Sequence, residues 1–217
     1  MQKLFLLTTF YILSVQLSAQ NIPKLAALDY NKDSLEKIYG EGKIFIPEYE
    51  LQSLIALSFY PELQHTKIQF QLADKETTAK TTITFLSILN SSDKHFIIYI
   101  NNNKTRTGLT LKDAPFNAQV GAIGHELAHV ADFKNKKILQ MGLWGIKYLS
   151  KKLKIQIENK TDKSTIKHGL GWQLYDFVDF ILNRSTATEA YKNFKRKNYL
   201  SPDEIRNLIK KYSNQYH

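Results

Sequence analysis

The chain has 217 residues, of which 43% are hydrophobic and 23% are charged, and this is the composition of a globular protein rather than a disordered one. It contains no cysteine, which excludes disulfide bonds, thiolate metal ligands, a cysteine nucleophile and a lipid-anchored lipoprotein. The formal net charge of +10 is spread along the chain, and we interpret it as a lysine-rich solvated surface rather than a nucleic-acid-binding site.

The first twenty residues have the layout of a secretory signal peptide. Lys3 gives a positive start, residues 4–17 are apolar, and Ser18-Ala19-Gln20 offers small residues for cleavage. The apolar run is shorter than the roughly 20 residues that a membrane-spanning helix needs. We therefore expect a signal peptide at 1–20, a secreted or periplasmic location, and one monomeric domain at 21–217.

The first half of the chain predicts two helices and a small sheet. A short helix is expected near Lys32–Tyr39, and a second at 48–59 between Pro47 and Pro61. Three runs then have strand character, and the polar turns between them predict an antiparallel meander. These runs are 66–73, which alternates Ile68, Phe70 and Leu72, 81–89, and 95–100, which is apolar almost throughout as a central strand would be.

The second half of the chain reads as helices only. Asp113 and Pro115 predict the cap and first turn of a helix whose apolar residues recur at helical spacing. They are Phe116, Val120, Ile123, Leu127, Val130 and Ala131. Further helices are expected at 136–151, 153–168 and 171–183, and a last one opens at Ser201, where Glu204 completes a capping box. Strands followed by helices predict an α+β fold.

The sequence His125-Glu126-Leu127-Ala128-His129 is an H-E-x-x-H motif on this first long helix. Residues four apart project from one helix face, so the two imidazoles can converge on one ion, for which zinc is the natural choice. Glu126 is then placed to act as general base toward water on the metal. Buried histidine and glutamate would be costly without such a role, which argues against two surface histidines on an amphipathic helix.

A catalytic zinc site needs a third protein ligand and one open position. The candidates downstream are Glu158, Asp162, His168 and Glu189, with Asp132 one turn after His129. Asp132 has a short reach on that helix, and a role in holding a ligand or capping the helix suits it better than binding the metal.

The segment Ile123–Val130 resembles the active-site helix of gluzincin-type zinc metallopeptidases. In that group the third ligand is a glutamate on a following helix, in a pattern that Glu158-Asn159-Lys160-Thr161-Asp162 matches. The resemblance implies a compact zincin-like fold, a Zn²⁺ cofactor, a peptide or protein substrate and Glu158 as the third ligand. The extended metzincin pattern is absent, because Asp132 and Phe133 stand where its glycine and neighbours would be.

The spacing of Glu158 and Asp162 agrees with this resemblance. The two residues are four apart, so one can bind the metal while the other accepts a hydrogen bond from a ligand histidine. Glu158 also stands among lysines, as on a solvated face, and Glu189 and His168 remain alternative ligands. Candidates for stabilising the oxyanion are Tyr148, His168 and Tyr175.

Two alternatives concern function and location. A non-catalytic extracytoplasmic binding protein could retain the same scaffold, although the intact Glu126 argues against it. Residues 134–157 combine apolar residues with many lysines, so this segment could rest weakly on an anionic membrane surface, although inward packing is the commoner fate of such helices. An extended peptide substrate is expected to add to an edge of the sheet, formed by the second or third strand.

Overall fold

The computed structural model describes residues 24–84, 94–134, 136, 140 and 150–213. Several predicted features lie outside these residues: the signal peptide at 1–20, the end of the second strand at 85–89, Tyr148, and most of the helix at 136–151, which is also much of the candidate membrane-surface segment. Within the described residues the fold is α+β, with a small sheet and a mainly helical C-terminal half, as predicted.

Two short helices precede the main strands. The first, α1 (Lys32–Tyr39), has the predicted bounds, and it begins where the Asn31 side chain accepts a hydrogen bond from the Ser34 backbone N–H. The second, α2 (Glu50–Ser58), follows a 3₁₀ turn at Pro47–Tyr49 and packs against the central helix of the fold. Both predicted helices are therefore confirmed.

The sheet has four described strands and is mixed. They are β1 (Lys43–Ile44), β2 (Lys67–Ala73), β3 (Ala79–Ile83) and β4 (His95–Asn101). In space their order is β1-β2-β4-β3; β2 is parallel to β1 and β4, and β3 is antiparallel to β4 at one edge. The predicted antiparallel meander is wrong, because alternation of apolar residues identifies the buried face of a strand but not its neighbour.

The central position of β4 agrees with its apolar sequence, since Phe96, Ile98 and Ile100 are all buried. On β2 the predicted apolar face is buried at Ile68 and Phe70, whereas Leu72 is 48% exposed. The core under the sheet therefore ends before β2 does.

The long helix α3 (Phe116–Lys134) carries the H-E-x-x-H sequence at the centre of the fold. Residues 117–130 are buried apart from Gln119, because α3 is covered by α2, by the sheet and by helices of the C-terminal half. Asp113 does not cap this helix as predicted. Its carboxylate instead accepts hydrogen bonds from the backbone and hydroxyl of Thr110, within a separate 3₁₀ turn that precedes α3.

Four described helices make up the C-terminal half. They are α4 (Lys151–Thr165), α5 (Gly171–Asp179), α6 (Glu189–Asn198) and α7 (Pro202–Ser213). Helix α4 continues into a π-helical turn at Ile166–Leu170, in which Gly169 has φ of 92°, and a second such turn follows α5 at Phe180–Arg184. The predicted capping box of the last helix is confirmed by the paired hydrogen bonds of Ser201 and Glu204. None of the described helices is long and apolar enough to cross a membrane.

Helices α3 and α5 approach each other so closely at Gly121 that even a Cβ atom would not fit there. A Cβ atom added at Gly121 of α3 would overlap the carbonyl oxygen of Gln173 on α5. One turn later, the Tyr60 hydroxyl donates a hydrogen bond of 2.7 Å to the Gly124 carbonyl. These contacts hold the helix segment that carries His125 and Glu126 in a fixed position.

Candidate metal centre

Helix α3 presents both histidines of the motif inside the protein. His125 and His129 are 6% and 7% exposed, and their ring centroids lie 4.9 Å apart. They stand one turn apart on the helix, as the spacing predicts, so both rings face the same neighbouring element. That element is α4.

Helix α4 brings Glu158 between the two rings. Its Oε2 atom lies 3.3 Å from Nε2 of His125 and 3.4 Å from Nε2 of His129. One ligand atom from each of these three residues lies within 4.8 Å of the others, and Glu158 is 1% exposed. His125, His129 and Glu158 therefore form a buried group that could hold a metal ion.

The other ring nitrogen of each histidine also has a partner on α4. Nδ1 of His125 lies 2.8 Å from Oδ1 of Asp162, and Nδ1 of His129 lies 3.3 Å from the Thr161 hydroxyl. The second oxygen of Asp162 accepts a hydrogen bond from the Leu200 backbone N–H. Such contacts fix the orientation of an imidazole and leave its Nε2 atom facing the common centre.

The charges in this group are strongly coupled. Burial by itself lowers the pKa of His125, but hydrogen bonds to Asp162 and Glu158 outweigh burial and raise this pKa to about 10. Burial raises the pKa of Glu158, yet hydrogen bonds to His125 and His129 hold it well below its usual range. Without metal, the site therefore contains an imidazolium paired with carboxylates, and a bound cation would take the place of its proton.

The Glu126 side chain contacts the sheet beside His125. The Thr81 hydroxyl lies 2.7 Å from Oε2 of Glu126 and 3.0 Å from its carbonyl oxygen, so Thr81 donates a hydrogen bond to this residue. Thr81 belongs to β3, one of the two edge strands of the described sheet. The glutamate of the motif is thus held between the helix and that edge strand.

A small cleft lies beside His125 and Glu126. Ala79 of β3 lines one side, and Lys195 and Tyr199 of the C-terminal half line another. The Tyr199 ring centroid lies 5.6 Å from that of His125. The small cleft therefore adjoins His125 of the candidate metal centre on one side and Ala79 of β3 on the other.

The remaining candidate ligands lie elsewhere. Asp132 pairs with Lys136 and with Lys160, so it does not hold a ligand histidine. Glu189 is exposed at the start of α6. His168 lies 2.9 Å from Glu62 and its ring stacks on Tyr60, which makes it part of the packing behind α3.

Of the proposed oxyanion groups, the two that the structure describes, His168 and Tyr175, are likewise not at the cleft. His168 is accounted for above, and the Tyr175 hydroxyl accepts a hydrogen bond from Arg206. Sequence reasoning missed three residues that do lie near the site: Thr81, Lys195 and Tyr199. The pattern of β3 and α6 contained no signal for them, because their proximity to α3 depends on strand order and on helix packing.

Comparison of the chain with protein-family models, with curated proteins and with solved structures finds no match. The interpretation of the site therefore depends on its own geometry and on the resemblance carried by residues 123–130 and 158–162.

Proposed function

We propose that this protein is a zinc-dependent hydrolase of peptide bonds that acts outside the cytoplasm. His125, His129 and Glu158 bind the metal, and Glu126 is the general base. The observation that carries the proposal is the convergence of two imidazole nitrogens and one carboxylate oxygen in a buried site, beside an independent carboxylate at a cleft.

The donor set and its spacing fit zinc. Zinc accepts histidine nitrogen and carboxylate oxygen at about 2.0–2.2 Å, and tetrahedral geometry then separates two ligand atoms by about 3.3–3.5 Å. The Nε2–Oε2 separations of 3.3 Å to His125 and 3.4 Å to His129 agree with this value. Three protein ligands leave one position for water or substrate, as catalytic zinc sites require.

Residues of this chain are available for each step of such chemistry. Zinc held by these residues would supply Lewis acidity, which would acidify water and polarise the scissile carbonyl. Glu126 accepts the proton of the attacking water and passes it to the leaving amine. Thr81 holds the Glu126 carboxylate in position, and Asp162 holds His125.

The edge strand supports a peptide as the substrate. β3 borders the cleft and pairs with β4 on one side only within the described sheet, so an extended chain can add to its other side through main-chain hydrogen bonds. Tyr199 is the phenol beside His125, and we assign it the role of hydrogen-bond donor to the oxyanion. It replaces His168 and Tyr175 in this role.

The test combines metal content with cleavage of a labelled protein such as casein. The purified protein is expected to contain or take up close to one zinc per chain and to cleave casein, and removal of zinc by a chelator should abolish cleavage reversibly. Glu126→Gln should retain zinc but lose activity by several orders of magnitude. Zinc binding together with equal inactivity of both proteins would favour the non-catalytic binding protein instead.

A further inference from the structure

Lys195 is a buried lysine in the wall of the cleft. It is 7% exposed, and among the described residues its ammonium group has no hydrogen bond and no carboxylate within 4.0 Å. Its Nζ atom instead lies over aromatic rings, 3.9 Å from the centroid of Tyr199, 5.2 Å from Phe177 and 5.7 Å from Tyr191. The Lys195 ammonium group therefore lies between these aromatic rings and the cleft.

A second buried lysine, Lys94, differs from Lys195 in its hydrogen bonds. Lys94 is 9% exposed, and its ammonium group donates hydrogen bonds to the carbonyl oxygens of Phe133, Lys134 and Lys136. These three acceptors compensate for the loss of water. Lys195 has no such set of described acceptors, and cation–π contacts replace only part of the hydration of an ammonium ion.

The position of Lys195 connects it to the candidate metal centre. Tyr199 stands one helical turn after Lys195, and the Tyr199 ring contacts both the Lys195 ammonium and the His125 ring. Lys195, His125 and Glu126 line the same cleft. The carboxylates of that wall pair with other groups, Glu126 with Thr81 and Asp162 with His125, and neither lies within 4.0 Å of the Lys195 ammonium.

We infer that Lys195 binds a carboxylate of the substrate close to the scissile bond, and that the protein prefers acidic peptides. The inference rests on the proposed function, because it assumes that the peptide in the cleft is a substrate. A carboxylate that enters the cleft supplies the acceptor that the ammonium group lacks among the described residues, and a charge-assisted hydrogen bond forms away from bulk water. The chain has 30 Lys and Arg residues and 20 Asp and Glu residues, and its net positive charge attracts acidic peptides from a distance.

Two kinds of carboxylate share this chemistry: an Asp or Glu side chain, and the C-terminus of a peptide. Paired peptides distinguish them. One pair differs only in Glu or Gln next to the scissile position, and the other only in a free or amidated C-terminus. Binding is measured by calorimetry to the zinc-loaded Glu126→Gln protein, so that the comparison does not require turnover.

In one of the two pairs, the acid is expected to bind about tenfold tighter than its amide partner, as a hydrogen bond to a charged group implies. Lys195→Met in the Glu126→Gln background should reduce that ratio to about one. Lys195→Arg should keep most of it, which covers the case in which the methionine variant does not fold. Lys197→Met is the control, because it removes an exposed charge from the same helix and should leave the ratio unchanged.

The inference is overturned if neither pair shows a preference for the acid, or if the preference survives in Lys195→Met. These results are separate from those that test the proposed function. Cleavage of casein without any acid preference would retain the hydrolase and remove the lysine subsite. A preference that depends on Lys195, in a protein that cleaves nothing, would retain the subsite and remove the hydrolase.

Discussion

At the scale of single residues, the site depends on hydrogen bonds that orient groups rather than on the metal-binding groups alone. Asp162 and Thr161 hold the imidazoles, and Thr81 holds Glu126. A substitution that removes one of these contacts keeps the three metal-binding residues and Glu126. The effects of that substitution on metal affinity and on turnover can therefore be measured separately.

Asp162→Asn tests the contact that orients His125. The amide keeps the shape of the carboxylate but makes a weaker acceptor for the imidazole N–H, so we expect zinc affinity to fall about 10- to 100-fold. Competition with a chromophoric chelator measures this affinity. Asp132→Asn is the control, because Asp132 pairs with lysines and not with the histidines. Equal loss of affinity in both variants would contradict the assignment.

Thr81→Val tests the contact that holds Glu126. The substitution preserves side-chain volume and removes the hydroxyl, and we expect kcat to fall about tenfold, the usual weight of a hydrogen bond to a charged group. Zinc content should be unchanged, since Thr81 does not contact the histidines or Glu158. Thr82→Val on the same strand is the control and should leave kcat unaffected. A drop in zinc content instead of kcat would show that Thr81 acts through the metal-binding group.

The raised pKa of His125 predicts that zinc binding releases a proton. With a pKa of about 10, His125 is protonated at neutral pH in the metal-free protein, and it must be neutral to bind zinc. Zinc affinity should therefore decrease as the pH falls below 10. The stability of the metal-free protein changes with pH in the opposite direction to zinc affinity. The contacts of the imidazolium stabilise the fold at low and neutral pH, and this stabilisation is lost as the pH rises through about 10.

Calorimetry in buffers of different ionisation enthalpy measures this release. The apparent enthalpy of zinc binding should vary with the buffer, with a slope near one proton at neutral pH. A slope of zero would show that His125 is already neutral before the metal binds.

At the scale of secondary-structure elements, the candidate site depends on how closely α3 lies to its neighbours. Gly121 permits the contact with α5, and Tyr60 fixes the next turn through the Gly124 carbonyl. We expect the backbone of α3 to tolerate less change at Gly121 than anywhere else on that face.

Gly121→Ala tests this packing. The added Cβ would overlap backbone atoms of Gln173, which cannot move without shifting α5, so we expect the free energy of unfolding to fall by about 1–3 kcal/mol or more. Gly124→Ala is the comparison, because its Cβ would meet only the flexible end of the Leu170 side chain and alanine favours the helix. Urea denaturation of the zinc-free proteins measures both. Equal stability of the two variants would show that α3 and α5 can separate at low cost.

Sequence patterns predicted local elements better than their arrangement. The bounds of α1, the capping box at Ser201 and the buried stripe of α3 follow from spacing and caps, which act over a few residues. The strand order does not, because β2 and β4 pair in parallel across an intervening strand. Helix α6 was missed because its buried side is built from Tyr191, Lys195 and Asn198 rather than from aliphatic residues.

The candidate site divides in the same way. The spacing of His125, Glu126 and His129 predicted that the two imidazoles share a helix face. The resemblance, and not the spacing, singled out Glu158 among several carboxylates. Thr81 and Lys195 could not be predicted, because they reach the site through the sheet edge and through α6, which are distant in sequence.

At the scale of the whole molecule, a metal bound by α3 and α4 would join two helices that the chain connects only through a long segment. Zinc that binds the folded state alone stabilises it by about 2.7 kcal/mol when its free concentration is 100 times the dissociation constant. We therefore expect zinc to raise the Tm by several degrees, measured by calorimetry with and without a chelator.

Two variants show whether Glu158 is the third ligand. Glu158→Gln should remove most of the rise in Tm that zinc produces, because it replaces a buried anionic ligand. Glu189→Gln should keep it, since Glu189 is exposed at the start of α6. The reverse result would exchange the roles of the two glutamates.

The hydrogen bond from the Leu200 backbone to Asp162 has a consequence for synthesis of the protein on the ribosome. Translation produces His125 and His129 long before Tyr199 and Leu200 emerge from the exit tunnel. A nascent chain can therefore present both histidines while the support behind His125 and the wall of the cleft are still missing. Assembly of the complete centre therefore has to wait until the segment that carries Tyr199 and Leu200 has been synthesised and has packed against α3 and α4.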